Sequence, residues 1–217
     1  MIKAPASREP TQSPGEELAN SVSHGVGLLA AIAATPVLLL SAVRHGDAAR
    51  IAGACVFSAA MVLLYLTSTL YHALPWNRAK RVFQVLDRAA IFLMIAGTYT
   101  PFTLGVLRGA WGWTLFGLVW CLALAGIVLT AAGGIRYPKL TTSLYLGMGW
   151  LILVAVKPLW LRMPPEGLFW LLAGGIAYTV GVVFYASRRL RYGHFVWHLF
   201  VIAGTACHFN AVLRFAA

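Results

Sequence analysis

Residues 193–209 read Gly193-His194-Phe195-Val196-Trp197-His198-Leu199-Phe200-Val201-Ile202-Ala203-Gly204-Thr205-Ala206-Cys207-His208-Phe209. The apolar run that starts at Phe195 continues to about residue 214, close to the roughly 20 residues a helix needs to cross hydrocarbon. On such a helix His194 and His198 stand one turn apart on one face, about 6 Å from each other, as two imidazoles closing on one metal ion must be. The same spacing arises between two interfacial or core histidines, so the rest of a metal site has to be found elsewhere in the chain.

Six further apolar runs lie at about 22–43, 49–71, 88–107, 112–132, 140–159 and 167–186. Together with 195–214 they fill the 217 residues and leave no room for a soluble domain. Of the chain, 60% is hydrophobic and only 11% charged, against about 25% charged in soluble domains, so its surface must face lipid. The pattern predicts an all-α membrane protein, a seven-transmembrane helix bundle. A polar N-terminal tail (1–16) would precede a single membrane domain (17–217), with sequential helices joined by short turns at His45-Gly46-Asp47, Gly133-Gly134 and Pro164-Pro165. The first twenty residues lack the apolar core of a signal peptide. Cys55, Cys121 and Cys207 sit inside apolar runs, an odd number that offers no disulfide framework.

The formal charge of +11 is spread in short clusters between the apolar runs, which indicates topology and contact with anionic lipid and excludes a nucleic-acid partner. With the N-terminus inside, Lys3, Arg8, Arg78, Lys80, Arg81, Arg88, Arg136, Lys139, Arg188, Arg189 and Arg191 fall on the cytoplasmic side. Arg44, Arg50, Arg108, Lys157, Arg162 and Arg214 fall on the other. Eleven against six predicts a cytoplasmic N-terminus and an outer C-terminus, in the cell (inner) membrane.

This orientation gathers the polar residues. Ser68 and His72, one turn apart, close the second segment; Asp87 opens the third; His194 and His198 open the seventh. All five then lie at the cytoplasmic depth, and three imidazoles plus water make a common open zinc site. Bound water there loses a proton near neutral pH; Asp87 is placed to accept it and Ser68 to orient water or a substrate carbonyl. Simpler roles exist for each: Asp87 as the cap of the third helix, Ser68 bonded back to the carbonyl of Leu64. Glu17, Asn20 and His24 follow a three–four spacing on a helix leading into the membrane, either as a polar layer or gate beside the metal or as a headgroup-facing stripe. His208 lies ten residues beyond His198, about 15 Å deeper, and is excluded as a ligand of the same ion.

Glu17-x-x-Asn20-x-x-x-His24, Ser68-x-x-x-His72, Asp87 and His194-x-x-x-His198, in this order on seven segments, resemble the hemolysin III branch of the progestin and adipoQ receptor family, relatives of the alkaline ceramidases. The resemblance covers nearly the whole chain after residue 16. It implies zinc held by His72, His194 and His198, with Asp87 and Ser68 beside a zinc-bound water. The chain lacks the long N-terminal extension of the animal receptors, so a hormone-receptor role is not implied. Chemistry and resemblance together predict a zinc-dependent hydrolase of a lipid amide or ester, with membrane lipids as partners. The alternatives are a cytolysin or hemolysin, as the family name suggests, and a sensor or regulator of membrane state with structural zinc.

Overall fold

The computed structural model describes residues 12–133, 137–187 and 189–217. Most of the polar tail and Gly134 of the predicted turn, with Lys3, Arg8, Arg136 and Arg188 of the charge count, lie outside the described residues. Among the described residues seven helical segments are long and apolar enough to span a membrane.

The first, α1 (Pro14–His45), takes in the lead-in stripe and the first span as one helix. Ser13 and Glu16 start it as a capping box: Ser13 Oγ accepts the N–H of Glu16, and the Glu16 carboxylate accepts the N–H of Ser13 at 2.8 Å. Its Leu18, Val22, Val26 and Leu29 are exposed, whereas Asn20, Ser23, His24, Gly27 and Ala31 are buried. The helix therefore shows lipid an apolar stripe and keeps its polar side chains for the interior.

Asp47 caps α2 (Ala48–Ala73), accepting the N–H of Arg50 at 3.1 Å. Those donors hold its exposed carboxyl below the ordinary value, first through the Arg50 N–H and then through Arg108, which is ion-paired to it. α3 (Arg78–Pro101) begins nine residues ahead of Asp87, with Asn77 as its cap. Asp87 is thus inside α3, and the expectation that it opens and caps the helix is corrected: the charged first turns read as loop, but Asn77 and the basic side chains suit a helix end just outside the hydrocarbon.

α3 runs on through a π-helical turn at Phe102–Leu107, and α4 (Gly109–Ala131) follows, entered through Arg108 and its own first residue Gly109, both at positive φ. The fifth span is broken: α5 (Pro138–Trp150), a 3₁₀ turn at Leu151–Ala155, then α6 (Val156–Arg162). α7 (Pro165–Ala186) and α8 (Gly193–Phe215) complete the bundle.

α1 packs against both α2 and α8, α2 against α3, α3 against α4 and α7 against α8. Between lipid-embedded helices close packing replaces hydrophobic burial as the driving force, and small residues allow it. At Gly97 of α3 a Cβ would come within 2.6 Å of Ala60 of α2, so this crossing admits only glycine without a shift. The fifth span touches α3, α4 and α7 over few residues and is largely exposed, which leaves a cavity behind it.

Candidate metal centre and its cavity

His72 on the last turn of α2 and His194 and His198 on the first turns of α8 converge. One ring nitrogen from each lies within 4.8 Å of the others, and the ring centroids are 4.7 to 5.1 Å apart. No other group of three or more histidine, cysteine, aspartate or glutamate side chains converges in this way among the described residues.

Two of the three rings are fixed by hydrogen bonds at Nδ1. His72 Nδ1–H donates to Glu17 Oε2 at 2.8 Å. His198 Nδ1 lies 3.2 Å from both the Asn20 carbonyl oxygen and Ser23 Oγ. The Ser23 hydroxyl already donates to that carbonyl at 2.9 Å, so only an Nδ1–H on His198 satisfies the set. A proton on Nδ1 leaves the lone pair on Nε2, the tautomer a metal requires. His72 Nε2 is buried and has no hydrogen-bond partner among the described residues. A buried imidazole nitrogen without a partner is costly, and His72 Nε2 facing the point where His194 and His198 also converge fits a shared cation.

The lead-in stripe supplies the supports. Glu17 binds His72 directly, the Asn20 backbone binds His198, and the Asn20 side chain donates to Gln12 Oε1 at 2.7 Å. His24 is stacked on His198 with centroids 3.5 Å apart and planes 8° from parallel. It has edge-on contact with Tyr65, and both its nitrogens are buried without a described partner.

Ser68 is buried and its hydroxyl has no described partner, so the bond back to Leu64 is absent; Thr67 makes that bond instead, to Leu63 and Leu64. Asp87 and Ser68 line the same cavity as the three histidines. His208 lies outside the trio.

Lys80 was counted above only as a cytoplasmic charge, yet it is 4% exposed. Its Nζ lies 3.0 Å from Glu17 Oε1, donates to the Tyr71 carbonyl at 2.8 Å and sits over the Tyr71 ring. A lysine in a basic cluster carries no signal of such burial; only the early start of α3 brings it beneath Glu17. Ser23 was missed for a similar reason, because a lone serine in an apolar helix is ordinary.

The trio stands at one end of a cavity of about 2200 Å³. This is more than twice the roughly 300 to 1,000 Å³ of ordinary small-molecule pockets. The exposed Leu153, Val156 and Trp160 of the fifth span and Leu172 of α7 contribute to its wall, so it reaches the flank of the bundle that faces lipid.

The profile of the haemolysin-III related family matches residues 13–209. The chain is 44% identical to "Hemolysin-3" of Bacillus cereus over 203 residues, covering 94% of this chain and 93% of that one. It is 43% identical to the "Hemolysin-3 homolog" of Bacillus subtilis (strain 168) over 198 residues, 91% and 93% of the two chains. At 26% over 226 residues it is similar to the "Monocyte to macrophage differentiation factor" of Homo sapiens, covering 98% and 90% of the two chains.

Proposed function

The chain belongs to the haemolysin-III related family, and from that premise we propose that it is a zinc-dependent hydrolase of a lipid amide or ester, working at the cytoplasmic face of the inner membrane. The observation that carries this reading is the histidine trio, His72 and His198 buried and His194 half-buried, at the end of a large, mostly apolar cavity that opens toward lipid.

His72, His194 and His198 would hold the zinc. Three neutral nitrogens suit this borderline-soft cation, and zinc bound there would supply Lewis acidity and a water that ionises near neutral pH. Glu17 and the Asn20 carbonyl keep the rings in the binding tautomer. The cavity takes the acyl chain from the bilayer and excludes bulk water. Ser68 donates a hydrogen bond to the scissile carbonyl, and Asp87 accepts a proton from the attacking water. The water oxygen adds to the carbonyl carbon, the C–N or C–O bond breaks, and the proton passes to the departing amine or alcohol, leaving a fatty acid.

The test follows fatty-acid release from short-chain ceramides and related acyl lipids in detergent, with zinc content measured alongside. Wild type should carry about one zinc per chain. Asp87→Asn should keep the zinc and lose at least about a hundredfold in turnover, the size of a general-base contribution. His194→Ala should lose both, and chelation should abolish release until zinc is restored. Equal release by wild type and His194→Ala would mark it as contamination. Zinc that only stabilises, with no metal-dependent release in any sample, would leave a sensor or regulator.

A further inference from the structure

His208 has no role in the reading above. It sits on α8 ten residues past His198, and at about 1.5 Å per residue this places it about 15 Å farther along the helix. It is 8% exposed and lines the same cavity as the trio. Neither ring nitrogen is hydrogen-bonded to a described residue, and Nδ1 is fully buried. Its position is built: the ring stacks on Tyr178 with centroids 5.5 Å apart, and a Cβ on Gly174 would come within 2.6 Å of Nε2, so the glycine leaves the room the imidazole fills.

Polar neighbours in this region of the wall are already satisfied. Tyr178 and Thr205 bond each other at 3.0 Å, Trp150 donates to Thr179 at 3.0 Å, and Thr98 donates to the Met94 carbonyl. His208 alone of this group keeps a nitrogen for something else: Nδ1 is enclosed, and Nε2, which is not fully buried, can donate or accept according to the tautomer. A polar side chain inside a membrane bundle without a protein partner points to a pathway or ligand.

We propose that His208 is a binding residue for the ligand's chain: it exchanges a hydrogen bond with a hydroxyl group carried about twelve bonds from the acyl carbonyl. The position follows from reach. An extended chain advances at most about 3.6 Å per three bonds, so about 15 Å corresponds to about twelve or thirteen bonds. This rests on the reading that the cavity holds an acyl chain with its polar head at the histidine trio, but not on hydrolysis.

The experiment measures binding of two fatty acids, stearate and 12-hydroxystearate, to the zinc-loaded full chain in nanodiscs, by displacement of a fluorescent fatty acid. Neither has a bond to hydrolyse. A net hydrogen bond of about 0.5–1.5 kcal/mol predicts that wild type prefers the hydroxylated chain about two- to tenfold. His208→Leu should bind stearate at least as well and lose the preference, its stearate binding doubling as the check that it folds. His208→Asn, which keeps a donor and an acceptor, should retain part of it. If His208→Leu binds neither acid, the Asn variant decides: preference kept supports the assignment, preference lost overturns it. Equal affinity for the two acids in wild type, as when a water serves the imidazole, overturns it, as does a preference unchanged in His208→Leu. A preference without any lipid hydrolysis would keep this inference and sink the hydrolase; hydrolysis without a preference would do the reverse.

Discussion

Glu17 joins His72 to Lys80: one carboxylate oxygen accepts Nδ1–H of His72 at 2.8 Å and the other lies 3.0 Å from Lys80 Nζ. α1, α2 and α3 thus meet at a half-buried acid that orients one of the three converging imidazoles. An acid behind a ligating histidine fixes the tautomer and raises the basicity of the ring, and its loss commonly weakens metal binding about 10- to 100-fold. Glu17→Gln should weaken zinc binding by that factor in a chelator competition. Lys80→Met, which leaves the carboxylate its histidine but removes its cation, should have the same sign and a smaller effect. Wild-type affinity in Glu17→Gln would show that the carboxylate does not orient the ring.

Tyr99 holds the break in the fifth span. Its hydroxyl accepts the N–H of Ile152 at 2.8 Å and donates toward the carbonyls of Met148 and Gly149 at 2.8 and 3.0 Å. These backbone groups lie where the α-helical ladder gives way to the 3₁₀ turn, and an unsatisfied polar group there is costly in a bilayer. Tyr99→Phe should cost about 1–3 kcal/mol, the penalty for an unsatisfied buried polar group. Thermal unfolding in detergent should show it as a loss of several degrees, at about 2–4 °C per kcal/mol for a chain of this size. An unchanged melting temperature would mean that the break is held by packing alone.

Orientation is testable on the intact chain. A reporter fused after Ala217 should read outside. A cysteine at the exposed Trp76, in the turn between α2 and α3, should resist a membrane-impermeant thiol reagent added to whole cells and react once the membrane is opened. The opposite pattern would place the histidine trio at the outer face and remove the argument for cytoplasmic access.

The helix count was legible because in a bilayer every backbone polar group must be satisfied within its own segment, so each span announces itself as a long apolar run. The convergence of His72 with His194 and His198 was legible too, since in a bundle whose helices cross in alternating directions, residues at the same depth share one layer. The supports around them were readable only as a polar stripe. That Glu17 binds His72, that His24 lies flat on His198, and that the Asn20 backbone serves His198 depend on how α1 rotates against α2 and α8. Rotation is set by contacts between helices, which the spacing within one helix does not contain.

What the sequence by itself determined is therefore local: length, apolarity, depth, and which side chains share a face. The tertiary structure alone decided the burial of Lys80, the inclusion of Asp87 within α3 in place of at its cap, the break at Leu151–Ala155 clamped by Tyr99, and the cavity that this loosely packed fifth span leaves open. Each of these arises where one helix meets another, and a buried lysine, a broken ladder or a void is specified by the partner surface and not by the segment that carries it.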